Sequence, residues 1–154
     1  MIVQRFELRR HEDERGWFAE LARASTLPKP VRQANLARSR RGVIRGLHYH
    51  ERGQDDLFCC LQGMVRVVVL DRTSGETFTE DIGEDNPVAI YVPGIHAHGY
   101  EALTDCLFCY FVTEEYDAAN PDEHGVPWND PRVVDLWSTR SPLMSARDQQ
   151  AASS

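Results

Sequence analysis

Two of the six histidines in this 154-residue chain stand two apart in the run Arg45-Gly46-Leu47-His48-Tyr49-His50. Side chains two apart on a strand point to the same face, so His48 and His50 would present paired imidazoles to one surface. Asp56 follows, and the later run Val92-Pro93-Gly94-Ile95-His96-Ala97-His98 supplies His98, five residues after Pro93. Two chemistries suit this set. An imidazole titrates near neutral pH and can act as a general base toward an acidified proton. His48, His50, Asp56 and His98 together also make a three-histidine, one-carboxylate donor set for Fe, Mn, Ni or Zn. The two readings exclude one another at His48, because a lone pair given to a metal cannot also take a proton.

Either chemistry needs strands to aim these side chains. The apolar runs are short and rich in β-branched and aromatic residues: Met64 to Leu70, Val88 to Val92, and Leu107 to Val112. They read as strands. Turn signals at Gln62-Gly63, Thr73-Ser74-Gly75-Glu76, Glu84-Asp85-Asn86-Pro87 and Pro93-Gly94 separate them, at the spacing of an all-β sandwich or barrel. Short helices are expected over Thr113 to Ala119 and after Pro142. Gln149 to Ser154 reads as a frayed polar tail, leaving 1–148 as a single domain, long enough to bury a core without disulfides.

Composition narrows the partners. With 24 acidic and 17 basic residues the net charge is −7, which argues against non-specific binding to nucleic acid or an anionic membrane. The run Arg38-Ser39-Arg40-Arg41 is a local basic concentration on a solvated strand or loop. Met1 to Arg10 lack the apolar core of a signal peptide and no long uncharged apolar run occurs, so a soluble cytoplasmic protein is expected. Cys106 and Cys109 have the spacing of a zinc or redox pair. They fall on a strand-like run where positions three apart face opposite sides, so they read, with Cys59 and Cys60, as buried reduced thiols.

The spacing of Gly42, His48, His50, Asp56 and Gly63, followed by Pro93 and His98, resembles the two cupin motifs, with Ile95 replacing the inner glycine of the second. The expected fold is therefore all-β, a cupin-type double-stranded β-helix (jelly-roll barrel) with short peripheral helices. A more specific resemblance spans nearly the whole chain. Arg15-Gly16-Trp17-Phe18-Ala19-Glu20, Gln33-Ala34-Asn35, Gly42-Val43-Ile44-Arg45-Gly46-Leu47-His48-Tyr49, Val92-Pro93 with Ala97-His98-Gly99, and Trp128-Asn129-Asp130-Pro131 resemble the dTDP-4-dehydrorhamnose 3,5-epimerase family. Ser145-Ala146-Arg147-Asp148 is similar to that family's closing motif.

The resemblance implies a homodimeric epimerase acting without a cofactor on C3, C5 or both of a dTDP-4-keto-6-deoxy sugar. A 4-keto group acidifies the C–H bonds at C3 and C5, so inversion needs a base on one face and an acid on the other. By resemblance His48 is the base, Asp148 orients it, and Tyr110 is the acid. Arg15, Glu20, Gln33, Asn35, Arg45 and His98 would meet the sugar nucleotide, with the N-terminal segment supplied by a partner subunit. Arginine suits that task because its planar fork matches phosphate oxygens. Phe18 lines the nucleobase pocket or is an ordinary core aromatic, while Trp128 and Asn129 carry no chemistry.

Three pocket positions depart from the family. Asp56 stands where the family has a lysine, His50 where it commonly has glutamine, and Val67 where it has an aspartate. Two of these changes move toward a metal-binding cupin. An oxygenase or isomerase using His48, His50, Asp56 and His98 is therefore an alternative, and an idle sugar-nucleotide binding module is another. Asp56, in the polar run that begins at Glu51, reads as a turn surface residue in preference to a ligand. His96 reads as a loop residue, and His11 and His124 as turn residues without partners.

Overall fold

Strand β7 (Met64–Leu70) shows how the sequence builds the barrel. Val65, Val67 and Val69 face one side and Val68 and Leu70 the other, and both sides are buried. A β-branched run covered on two faces suits a strand between a barrel interior and an outer layer. Val88 to Val92 likewise forms β9 over those five residues, and the third run forms β11 (Cys106–Val112).

The computed structural model describes residues 1–153. One five-stranded sheet has the order β1 (Gln4–Glu7), β9, β6 (Asp56–Gln62), β11, β4 (Gln33–Ser39). The other runs β12 (His124–Gly125), β5 (Ile44–Tyr49), β10 (Ala97–Ala102), β7, β8 (Thr77–Gly83). All strand pairs are antiparallel. From β4 to β11 the chain changes sheet at each step except the β7–β8 hairpin, which is the winding of a jelly roll. The fold is the expected cupin-type double-stranded β-helix. A separate hairpin of β2 (His11–Asp13) and β3 (Gly16–Phe18) projects from it.

Aromatic rings fill one part of the interior. Tyr100 and Phe108 stack at 3.8 Å between centroids, and Phe58 sets its edge against Phe108 at 5.1 Å. The outer face of the first sheet, around Leu57, Ala89 and Tyr91, is covered by Phe6, Leu8, Leu21 and Leu27. The second sheet is covered by the chain after β12, through Val126, Val133 and Trp137. The Trp137 indole donates to the Trp128 carbonyl at 2.8 Å, tying that turn to the segment that follows it.

The four cysteines are free and buried. Cys60 and Cys106 lie in the interior, Cys59 and Cys109 under the outer layer, so the Cys-x-x-Cys pair is divided by its own strand.

Two expectations are corrected. Thr113 to Ala119 is not helical. Thr113 N donates to Asp55 O at 3.1 Å and Tyr116 N to the Gln33 side chain at 2.9 Å, so the stretch is tied to its neighbours as an irregular connection. The helix expected after Pro142 is α1 (Ala146–Ser153), and it takes up Gln149 onward, where a frayed tail was expected; Ser154 lies outside the described residues.

Candidate active site

Gly46 decides how closely β5 and β10 approach. Its φ is +121°, and a Cβ there would lie 2.8 Å from the His98 carbonyl oxygen and 2.9 Å from Gly99 Cα. Gly99 in turn lies against the Arg45 carbonyl. Two glycines thus let backbone pack on backbone, and His48 and His98 become direct partners across the pair. Both line a cavity of about 870 Å³, of a size that holds a small-molecule ligand.

His48 stands between two carboxylates. Its Nε2 is 2.8 Å from Asp148 Oδ1 and its Nδ1 is 3.4 Å from Glu123 Oε1. Asp148 is delivered by the segment after Pro142. Leu143 bridges to Val43 in parallel register, Ile44 N donates to Leu143 O, and Ser145 then caps α1 by accepting from Asp148 N at 3.2 Å. The second Asp148 oxygen accepts from Gly46 N at 3.2 Å. Burial pushes the Asp148 carboxyl up, but its bond and charge interaction with His48 outweigh burial and hold it below the usual carboxylate range.

Glu123 is a site residue that the sequence reading missed. It reaches His48 because β12 pairs with β5, setting Gly125 opposite His48 and His124 opposite Tyr49. Its other oxygen pairs with Arg147 at 2.8 Å. A two-residue strand in an acidic, proline-flanked stretch leaves no periodic signal. The expectation that His11 and His124 lack partners is also corrected: His124 stacks on Tyr49 at 5.1 Å and lies 3.4 Å from Asp122, and His11 packs near Phe18 at 6.4 Å.

Tyr110 lies on β11, in the sheet opposite β5, and lines the same cavity. Burial raises the phenol pKa, and the charges of Asp56 and Glu123 add to that. It therefore holds its proton through neutral pH.

Asp56 is not on the surface, which corrects the turn reading. It opens β6 and is 4% exposed, with Oδ1 3.5 Å from His50 Nε2 and Oδ2 3.3 Å from His98 Nε2. Burial pushes its carboxyl up, but the two imidazoles outweigh burial and hold it far below the usual range. Burial lowers the His50 pKa, yet the Asp56 hydrogen bond and charge leave it raised. The four-residue metal set is not assembled as expected. His50, Asp56 and His98 converge, with ligand atoms within 4.8 Å of one another, whereas His48 is held apart by Asp148.

Gln33, Asn35, Arg45 and His98 line the cavity. Gln33 Nε2 donates to Asn35 Oδ1 at 2.9 Å, and Arg45 Nε donates to Ser39 Oγ at 2.9 Å. Arg15, Phe18 and Glu20 do not line it. Arg15 pairs with Asp13, Glu20 with Arg23, and Phe18 is 65% exposed, in neither the cavity nor the core.

A closed jelly roll with a histidine–carboxylate pair on one wall and a protonated tyrosine on the facing wall defines a class: an isomerase moving protons at carbon within a cupin barrel. Residues 3–154 match the family model described as dTDP-4-dehydrorhamnose 3,5-epimerase. The chain belongs to that family. It is 40% identical over 141 residues to the spore coat polysaccharide biosynthesis protein SpsL of Bacillus subtilis, covering 86% of this chain and 93% of that one. It is 35% identical to the dTDP-4-dehydrorhamnose 3-epimerase of Streptomyces niveus, over 90% of this chain and 73% of the relative. Among solved structures, the dTDP-6-deoxy-D-glucose-3,5-epimerase of Legionella pneumophila, in complex with dTDP-4-keto-L-rhamnose, superposes with a TM-score of 0.86 at 27% identity, covering 97% of this chain and 86% of that one. None of the described helices is long and apolar enough to cross a membrane.

Proposed function

We propose that this protein inverts C3, C5 or both of a dTDP-4-keto-6-deoxy sugar, with His48 as base and Tyr110 as acid. The observation that carries the reading is their placement: His48 on β5 and Tyr110 on β11, in facing sheets of one cavity. A sugar ring lying between them would meet a base on one face and a proton donor on the other. The 4-keto group lowers the barrier to removing the neighbouring proton, and His48 becomes an imidazolium between Asp148 and Glu123 as it takes that proton. Tyr110, kept protonated by burial, returns one from the opposite side.

Arg45, Gln33, Asn35 and His98 would hold the sugar nucleotide from the cavity wall. Arg15, Phe18 and Glu20 would reach it only in a homodimer, from the hairpin of the partner subunit; the exposure of Trp17 at 53% and Phe18 at 65% supports that assembly. Four buried, unpaired thiols fit a reducing compartment, and the cytoplasm is the location we assign.

The test is to incubate the protein with dTDP-4-keto-6-deoxyglucose in D2O and follow deuterium entry at C3 and C5 by NMR. Exchange at one or both carbons is expected, and its loss in His48→Asn. Absence of exchange at both carbons would refute the activity on this sugar, and exchange that survives His48→Asn would remove His48 as the base.

A further inference from the structure

His50, Asp56 and His98 form a second centre beside the proton-transfer pair. Each is nearly buried, at 5%, 4% and 3% exposure. Both imidazoles are fixed in the same way: His50 Nδ1 lies 2.6 Å from the Asp122 carbonyl, and His98 Nδ1 lies 2.8 Å from the His96 carbonyl. A carbonyl only accepts, so each Nδ1 must carry its hydrogen, and in the neutral ring the lone pair then sits on Nε2. The two Nε2 atoms lie 3.5 and 3.3 Å from the Asp56 carboxylate oxygens. Gln54 Nε2, which can only donate, lies 3.2 Å from His50 Nε2 and 3.0 Å from Asp56 Oδ1. It marks Asp56 Oδ1 as an acceptor.

A buried carboxylate between two imidazoles calls for positive charge among the three, which protons on the rings or one bound cation would supply. A metal-ligating imidazole typically donates its other ring N–H to a carbonyl or carboxylate, as both do here. Neighbouring donors about 2.0–2.1 Å from a first-row ion are roughly 3.0–3.4 Å apart, close to the two separations from Asp56. All three side chains line the cavity, so an ion there would keep open positions toward it.

We propose that His50, Asp56 and His98 bind one divalent first-row transition ion, by a two-histidine, one-carboxylate set, and that His48 takes no part. The proton-or-metal conflict at His48 then disappears, because the two tasks fall on different residues. When bound, the ion supplies positive charge on the wall where Asp56 replaces the family lysine; this role, unlike the site itself, rests on the epimerase reading.

The test uses Co2+ on full-length protein stripped with chelator and dialysed, without sugar nucleotide, reading stoichiometry by equilibrium dialysis and coordination by visible d–d absorption. One Co2+ per chain is expected, displaced by Zn2+, with binding kept in His48→Asn. His50→Gln and Asp56→Asn should each weaken it about 100-fold or more, since loss of a direct ligand should exceed the 10–100-fold cost of losing an outer partner. Circular dichroism melts confirm that each variant is folded. No stoichiometric binding, binding indifferent to both ligand substitutions, or binding abolished by His48→Asn would overturn the proposal. Deuterium exchange of stripped and loaded protein then reads the role separately: equal rates would remove it while leaving the site, and failure of metal binding leaves the exchange test of the epimerase untouched.

Discussion

Asp148→Asn isolates what the carboxylate does for His48. Asparagine keeps the size of the side chain and an oxygen to accept from Gly46 N, so α1 can stay docked. What disappears is a negative charge 2.8 Å from Nε2. His48 acquires its positive charge only as it takes the substrate proton, so the lost attraction falls on the transition state rather than on binding. Charge centres about 4 Å apart attract by about 4 kcal/mol at an effective dielectric near 20. Part of that field survives, because Glu123 remains 3.4 Å from Nδ1, itself partly neutralised by Arg147 at 2.8 Å. A net cost of about 3 kcal/mol corresponds to a roughly 10²-fold fall in kcat, with KM little changed. The assay is the initial rate of deuterium entry measured by NMR over a range of sugar-nucleotide concentrations. Asp148→Asn combined with Glu123→Gln should be slower still. A kcat within about threefold of wild type, a loss below about 0.7 kcal/mol, would refute the charge argument.

Three further predictions follow from the same geometry. Tyr110→Phe should uncouple exchange from inversion: His48 still removes and returns a proton on its own face, so deuterium enters with retained configuration while epimer formation falls about 10²–10⁴-fold, as NMR of the recovered sugar would show. Gly46→Ala puts a Cβ 2.8 Å from the His98 carbonyl at a φ of +121°, and urea unfolding should register a loss of about 2–3 kcal/mol. Because Asp148 is depressed in the folded state, its contribution is full above the unfolded carboxylate value of about 3.9 and is lost as pH falls through the folded value. Asp148→Asn should therefore flatten the acid limb of the melting temperature below about pH 4.

What could be read from residue order was whatever repeats. The valines of β7 and the aromatic run of β11 declare strands by their side-chain types, and the same period separates Cys106 from Cys109. Asp148 was legible only through its resemblance to a closing motif; the Ser145 cap that brings its carboxylate to His48 is seen in the structure. Asp56 was misread because its sequence neighbours are polar, whereas its burial is set by β9 and β11 on either side of β6. Glu123 was missed because only pairing with β5 places it. Thr113 to Ala119 has a helical composition, but hydrogen bonds to Asp55 and Gln33 outweigh local preference.

His48 and Asp148 are 100 residues apart in the chain. His48 is fixed on β5 within its sheet, while Asp148 rides on the short helix α1, held by a backbone bridge at Leu143, a serine cap and the Arg147–Glu123 pair. Such an element can detach in a local opening that costs far less than global unfolding. Under mild denaturant, turnover should fade while the sheets remain intact. Enzymatic competence is then a property of how α1 docks, lost before the sheets open.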